Sequence, residues 1–183
     1  SASHTAYVDA HNSLRVLRII KDKHKENWER FLKTSTKASV ETLLTNEGIY
    51  SIFENVKGRN MMYLVSTLHP KHSFHPSYAS WGYLWDLRRD PEPLLNLSVN
   101  QLKDTLKKIS PKALRVLKTN KAPVVLDKDF ALKQKPYLDL DLETIKKRAH
   151  LVRNSENFCK NIQTINREVA EEKEQTKTQE DLL

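Results

Sequence analysis

The middle of the chain, from Gly58 to Lys121, alternates between apolar runs and turn-forming residues. The runs Met61–Leu68 and Ser80–Leu87 are rich in apolar, β-branched and aromatic side chains, and a third run follows at 114–126. Pro, Gly and Asn bound these runs, which is typical of strands on a pleated, half-buried surface. A further strand is predicted at Gly48–Glu54. We therefore predict a small, twisted antiparallel sheet at the centre of the fold.

Helical spacing of apolar residues marks the N-terminal side of this sheet. It predicts a helix from about Thr5 to Ile20, followed by short amphipathic helices at 27–32 and 37–44. Inside the sheet region, Ser98 and Gln101 form a capping box that predicts the start of another helix. Helices on both sides of a sheet make α+β the expected fold class.

The C-terminal side of the sheet is also predicted to be helical. Asp141 can cap a helix with an apolar stripe, and Ser155 begins a second helix whose apolar positions continue to Val169. After Ala170 the sequence is rich in Glu, Lys, Gln and Thr. This composition predicts a solvated helix end, a linker or a disordered tail.

Length and composition bound the class of protein. A chain of 183 residues, 38% of them hydrophobic, can hold one domain with a core or a small domain with helical extensions. It contains no run of 18 apolar residues and no signal-peptide pattern, so no membrane partner is expected. A single cysteine, Cys159, excludes an internal disulfide and agrees with a reducing compartment. We expect the cytoplasm, with the mitochondrial matrix as the alternative.

The net charge of +8 is unevenly distributed along the chain. Of 31 basic and 23 acidic residues, four and seven lie from Ser155 onward, which leaves 27 basic and 16 acidic residues before it. A basic body favours a polyanionic partner, because binding to phosphates releases counterions. The alternative is a generally lysine-rich protein whose charge serves solubility.

Two histidine arrangements could carry chemistry. In a two-metal phosphodiesterase site, a carboxylate such as Asp9 holds a metal ion while a neutral imidazole such as His4 takes a proton from water. The second arrangement, His69, His72 and His75, has the imidazoles that zinc prefers. Its segment contains no cysteine or carboxylate, and prolines interrupt any helix that would align the rings, so we expect a surface loop.

Aromatic residues are interleaved with basic ones through the predicted sheet. Such a pattern can form stacking platforms beside a cationic groove that binds single strands. The alternative, that alternate aromatics belong to the core, is expected to hold for about half of them. The residues of the pattern are Lys57, Arg59, Tyr63, Tyr78, Trp81, Tyr83, Trp85, Arg88 and Arg89.

The order of several short motifs resembles the exodeoxyribonuclease I family, the single-strand-specific 3′→5′ exonucleases of the DEDDh type. The segment Ser3–Asp9 with its following helix is similar to the last catalytic motif of that family, and Arg148–Asn157 is similar to a helix end in it. The motifs between them are Lys57-Gly58-Arg59-Asn60, Leu68-His69-Pro70, Trp85-Asp86-Leu87, Pro93-Leu94-Leu95-Asn96-Leu97 and Asn120-Lys121-Ala122-Pro123-Val124. The resemblance implies terminal helices of a nuclease domain at 1–36, an SH3-like β domain with an inserted helix at 37–136, and the start of a helical domain with a polar tail at 137–183.

The resemblance also implies roles for individual residues. His4 corresponds to the general base and Asp9 to a metal-binding carboxylate, with Mg2+ as the ion of the complete enzyme. Residues of the SH3-like domain are expected to bind single-stranded DNA, and a basic surface is expected to dock the acidic tail of single-strand-binding protein. The residues expected at the DNA are Lys37, Arg59, His69, Asn120 and Lys121.

The resemblance places the family's Asp-x-Glu motif and its middle Asp in a nuclease core that is expected to lie upstream of Ser1. Because a lone Asp9 cannot assemble a two-metal site, the chain by itself is expected to be inactive and to bind no cofactor. The expected function is therefore the C-terminal portion of a 3′→5′ exodeoxyribonuclease in DNA repair or recombination, working with a missing N-terminal nuclease domain. The alternative is a non-catalytic nucleic-acid-binding or scaffold component of a larger ribonucleoprotein assembly.

Overall fold

The computed structural model describes residues 6–46, 48–56 and 58–180. Its helices are α1 (Ala6–Lys23), α2 (Lys25–Lys33), α3 (Lys37–Thr45), α4 (Val99–Lys108), α5 (Asp129–Leu132), α6 (Leu142–Asn154) and α7 (Glu156–Glu180). Its strands are β1 (Ile49–Val56), β2 (Arg59–Thr67), β3 (Trp81–Asp86), β4 (Leu114–Lys118) and β5 (Val125–Asp127). Short 3-10 turns lie at Pro70–His72, Glu92–Leu94, Thr119–Lys121 and Lys135–Tyr137.

The five strands form one antiparallel sheet in the order β4-β3-β2-β1-β5. In the β1–β2 hairpin, Ile49 pairs with Ser66 at one end and Val56 pairs with Arg59 at the tip. Gly58 in this hairpin turn has a φ of +80°, a left-handed conformation that glycine adopts without a steric penalty. The predicted α+β fold with an antiparallel sheet is confirmed.

Helices cover both faces of the sheet. Successive side chains of a strand point to opposite faces, so Tyr63 and Val65 of β2 pack with Leu44 of α3 on one side. Leu64 points to the other side, where Trp85 and residues of α4, α6 and α7 form the larger core. Because both faces are buried, the central strands read as continuous apolar runs instead of alternating ones.

The predicted helix starts are observed with their capping contacts. Ser98 Oγ accepts a hydrogen bond from the backbone N–H of Gln101 at 3.4 Å, and Gln101 Oε1 accepts one from the Ser98 N–H at 3.1 Å. Asp141 Oδ1 accepts a bond from the Thr144 N–H at 2.7 Å. Helix α7 continues through the segment after Ala170 to Glu180. Of the three structures predicted for this segment, the helix end is therefore the one observed. None of the described helices combines the length and apolarity needed to cross a membrane.

The segment 69–75, which we expected to be a surface loop, lies against α7 instead. His75 is buried, and its Nδ1 accepts hydrogen bonds from the N–H groups of Ser77 and Tyr78 at 3.0 and 3.2 Å. Pro70 does not prevent a helical turn, because a proline at the first position of such a turn removes no hydrogen bond. The predicted domain limits at 36/37 and 136/137 stay predictions. Helix α6, from the predicted helical domain, packs directly on β2 of the predicted SH3-like domain.

Candidate nucleic-acid interface

Three of the predicted DNA-binding residues lie on the α3 side of the sheet. Helix α3 begins at Lys37, and it contacts the 3-10 turn that carries Asn120 and Lys121. All three side chains are exposed. We call this set, Lys37, Asn120 and Lys121, the basic face. It offers two ammonium groups and one amide to a polyanion, and the Lys37 ammonium lies 3.4 Å from a carboxylate oxygen of Glu41.

Local backbone structure fixes both segments that form the basic face, the start of α3 and the 3-10 turn at 119–121. Thr36 caps α3: its Oγ1 accepts a hydrogen bond from the Ser39 N–H at 3.2 Å, and its own N–H donates to Ser39 Oγ at 3.3 Å. At the other segment, Ala122 ends the 3-10 turn with a φ of +44°. A left-handed conformation is uncommon for a residue with a Cβ, and such outliers concentrate at functional sites.

Part of the predicted aromatic platform lies at the surface. Trp81 of β3 pairs with Lys118 of β4, and the Lys118 ammonium lies 5.2 Å from the centre of the Trp81 ring. The Tyr78 ring is half-buried with its centroid 4.7 Å from that of Trp81. Tyr63, Tyr83 and Trp85 are fully in the core, which agrees with the expectation that about half of the aromatics would be structural.

Arg88 and Arg89 are engaged inside the protein, so their predicted part in a cationic groove is wrong. Arg88 donates to the buried Asp86 carboxylate, with 2.6 Å between Nη2 and Oδ2. The Tyr137 hydroxyl donates to the same carboxylate at 3.0 Å, and burial together with this negative charge raises the pKa of Tyr137. Arg89 donates to the Ser110 carbonyl at 2.5 Å. The Trp85-Asp86-Leu87 motif is thus a structural network.

Arg59 and His69 lie apart from each other and do not form one cluster. Arg59 is exposed at the tip of the β1–β2 hairpin, where β2 begins, and His69 follows its other end. Eight residue steps along a strand separate the ends of β2 by about 26 Å. His69 faces α7, with its Nε2 3.8 Å from an oxygen of Glu156. Lys57, from the same hairpin, lies outside the described residues.

Of the predicted catalytic pair, His4 and Asp9, the structure describes Asp9. Asp9 lies on α1, is exposed, and belongs to a helix with no buried residue. His4 lies outside the described residues. In the part of the chain that the structure describes, Asp9 belongs to no group of three potential metal ligands; the group found there is His69, His72 and Glu156.

A second basic surface was missed by the sequence analysis. Lys146, His150 and Arg153 of α6 join Lys128 around a cavity of about 470 Å³ at the start of β1. The three α6 residues are spaced four and three positions apart, so they lie on one stripe of the helix. This spacing could have identified the surface from the sequence. Arg153 also donates to the Thr45 and Asn46 carbonyls at 2.9 and 3.0 Å, which fixes the end of α3 to α6.

Helix α7 has the opposite character. Glu168 and Glu172 both accept from the Lys103 ammonium on α4, at 3.1 and 3.0 Å, and these bonds raise the pKa of Lys103. The Tyr78 hydroxyl donates to Glu174 at 3.3 Å. This acidic helix would repel a polyanion, so the side of the sheet that carries α3 is the better nucleic-acid surface.

Comparison with known proteins places this geometry in a family. The family model of the exonuclease I SH3-like domain matches residues 61–168. No match was found among curated protein sequences. Exonuclease I from Methylocaldum szegediense, a moderately thermophilic form, superposes with a TM-score of 0.65 and 20% identity. The alignment covers 91% of this chain and 38% of that protein.

Two further structures show the same fold. Escherichia coli exonuclease I in complex with the oligonucleotide 5cy-dT13 superposes with a TM-score of 0.58, 16% identity, and coverage of 90% of this chain and 37% of that one. A complex of exonuclease I with SSB-Ct gives a TM-score of 0.60, 16% identity and the same two coverages. The chain thus spans well under half of the length of these proteins. Because the matched residues 61–168 are more than half of the sequence, the chain belongs to the exonuclease I SH3-like domain family.

Proposed function

We propose that this chain is the strand-binding portion of a 3′→5′ exodeoxyribonuclease that acts on single-stranded DNA in repair or recombination. The observation that carries the proposal is the family match over residues 61–168. The similar folds of exonuclease I structures that contain an oligonucleotide or SSB-Ct support it. In this proposal the basic face contacts phosphates, while Trp81 and Tyr78, which lie against α7, are not part of the strand path.

The partners follow from the same surfaces. The acidic tail of single-strand-binding protein would bind a basic surface through charge attraction. Besides the basic face, the lysine and arginine stripe of α6 is a candidate surface for this tail. Arg59 and His69 keep their predicted role as strand contacts within this proposal. A nuclease domain outside this sequence would supply the remaining catalytic groups.

The proposed catalytic contribution is that of His4 as general base and Asp9 as ligand to Mg2+. In the enzyme that includes the nuclease domain, Asp9→Asn should abolish cleavage and leave strand binding unchanged, because it removes one metal-binding charge from an exposed helix. Single-turnover cleavage of a labelled oligonucleotide, with binding measured in parallel, tests this. Cleavage at the wild-type rate would remove Asp9 from the active site.

A non-catalytic component of a ribonucleoprotein assembly is the second candidate. It is favoured by the basic face and by the position of Asp9 outside any described group of potential metal ligands. Such a protein should bind structured RNA at least as tightly as single-stranded DNA. Competition between the two nucleic acids for the same chain separates the candidates.

Strand binding itself is tested by titrating labelled single-stranded DNA at two salt concentrations. We expect the affinity to fall steeply with salt, because phosphate contacts release counterions. Replacing Lys37 and Lys121 with Gln should reduce the slope of log K against log salt by about 0.7 for each lysine. Replacing Lys107 and Lys108, two exposed lysines at the end of α4, with Gln is the charge-matched control. No binding at low salt, or equal losses in the control, would contradict a DNA surface at the basic face.

A further inference from the structure

The 3-10 turn after β2 and the first turn of α7 bring three metal-ligating side chains together. His69, His72 and Glu156 each present one nitrogen or oxygen atom, and these atoms all lie within 4.8 Å of one another. Nε2 of His72 is 3.6 Å from one Glu156 oxygen, and Nε2 of His69 is 3.8 Å from the other. We call this group, His69, His72 and Glu156, the histidine turn site.

These separations are close to those of a coordination sphere. Ligands held about 2.0–2.1 Å from a tetrahedral zinc ion lie about 3.3 Å from one another. The two nitrogen–oxygen distances therefore need to shorten by less than about half an ångström each, which small rotations of the side chains supply. In the 3-10 turn, His69 and His72 are three residues apart and so lie on the same side.

A second observation fixes the chemistry of His72. Its Nδ1 lies 2.7 Å from Oε1 of Gln163, and the Gln163 amide is oriented because its Nε2 donates to the Phe74 carbonyl at 2.8 Å. Since Oε1 only accepts, His72 Nδ1 carries a proton, and in the neutral imidazole Nε2 is then the nitrogen with the lone pair. This Nε2 is buried and has no hydrogen-bond partner among the described residues. An imidazole held in this way by an outer polar partner is the usual arrangement of a metal-ligating histidine.

The carboxylate already faces a cation. The Lys71 ammonium lies 3.3 Å from a Glu156 oxygen. A metal ion would replace that ammonium, so Lys71 competes with it. At His69, Nδ1 accepts a long bond of 3.4 Å from the Lys71 N–H. Coordination through His69 Nε2 moves its proton to Nδ1, and the long bond from Lys71 is then lost.

We propose that the histidine turn site binds one divalent transition-metal ion of the zinc class, through Nε2 of His69, Nε2 of His72 and the carboxylate of Glu156, with water as the fourth ligand. Two imidazoles and one carboxylate suit zinc better than Mg2+, which prefers oxygen ligands. The ion joins the end of β2 to the start of α7 and so acts as a clasp between sheet and helix. The inference does not rest on the proposed strand binding, although the two share His69, and Zn2+ binding is measured without DNA.

The test uses the whole chain, freed of metal by a chelator and titrated calorimetrically with Zn2+ and, separately, with Mg2+. We expect one tight Zn2+ equivalent, no comparable Mg2+ binding, and a higher unfolding temperature with Zn2+ because the metal binds the folded state. Co2+ in place of Zn2+ should give the visible absorption of a tetrahedral site. Absence of a tight Zn2+ equivalent would overturn the proposal.

Matched variants separate this site from other histidines and carboxylates. His72→Asn keeps an N–H donor toward Gln163 but lacks the ligating nitrogen, and Glu156→Gln keeps its size but loses its charge. Loss of a hydrogen-bond partner behind a metal ligand weakens metal binding by up to about 100-fold. Each of these substitutions removes a ligand itself, so each should weaken Zn2+ binding by more than about 100-fold. Gln163→Leu should weaken it by about 10-fold, and Lys71→Gln should strengthen it.

The controls are His150→Asn and Glu171→Gln, both at exposed positions away from the histidine turn site. Both should bind Zn2+ as the unmodified chain does, and circular dichroism checks that every variant is folded. Wild-type affinity in folded His72→Asn and Glu156→Gln, or an equal loss in the controls, would contradict the proposed ligand set.

Discussion

The basic face and the histidine turn site stand on opposite sides of the same sheet and are built in different ways. The side chains of Lys37, Asn120 and Lys121 are exposed, and a helix cap and a short turn fix their backbone. At the histidine turn site, the side chain of His72 is 14% exposed and its ring is held by Gln163. The first arrangement suits contacts that charge alone directs, and the second suits contacts that need fixed atoms.

This contrast predicts how binding at each region responds to substitutions. Loss of one exposed lysine removes one screened charge and leaves the others in place. A small displacement of α7 changes several ligand distances at once, since Glu156 is on α7 and both histidines are on the turn. We therefore expect graded losses at the basic face and abrupt losses at the histidine turn site.

The largest expected effect comes from the core beneath α7. Phe158 is buried and packs edge-on against Trp85, with 5.5 Å between ring centroids. Phe158→Ala should lower the free energy of unfolding by about 3–5 kcal/mol, because it leaves a cavity. Where the variant is still folded, Zn2+ affinity should fall because the start of α7 loosens, while single-stranded DNA affinity should hold. Urea unfolding and the two binding titrations measure this.

The control for this change is Phe31→Ala, which removes the same group from a side chain that is 43% exposed. It should cost less than about 1 kcal/mol, closer to an ordinary surface substitution. If Phe158→Ala left Zn2+ binding intact while DNA binding fell, the assignment of the two functions to opposite sides of the sheet would be wrong.

Much of the fold could be predicted because its signals are local. The strands carry β-branched and aromatic runs, and the starts of α4 and α6 carry the cap residues Ser98 and Asp141, whose bonds are observed. The sequence could not tell surface aromatics from buried ones, because a sheet covered on both faces loses its alternation. Trp81 and Trp85, four residues apart on the same face of β3, also look equivalent in the sequence, although Trp85 is in the core and Trp81, at the start of the strand, is half-buried.

The candidate sites were less predictable because they depend on contacts distant in sequence. The histidine segment itself contains no carboxylate, and Glu156, which lies beside it, comes from α7, more than 80 residues later. Arg88 was expected in a groove, but the buried carboxylate of Asp86, two residues earlier, holds it in the protein. The residues of the basic face were expected from the family resemblance, and their exposure is observed, while their contact with DNA stays a prediction.

The smallest expected effect compares two matching helix caps. Thr36 and Ser98 each form a capping box, the first on α3 with nine residues and the second on α4 with ten. Thr36→Ala and Ser98→Ala should each lower the free energy of unfolding by about 1 kcal/mol, since each removes the side chain that accepts the N–H bond. Urea unfolding of the two variants should therefore give nearly the same result.

Single-stranded DNA binding should distinguish the two caps. Fraying at the start of α3 moves Lys37, so Thr36→Ala should weaken DNA binding, whereas Ser98→Ala frays a helix whose Lys103 is paired with glutamates of α7. Neither change should alter Zn2+ affinity, because neither cap contacts the histidine turn site. Equal loss of DNA binding in both variants would mean that stability alone controls it. No loss in Thr36→Ala would place the strand away from α3, which leaves the turn at 119–121 as the remaining part of the basic face.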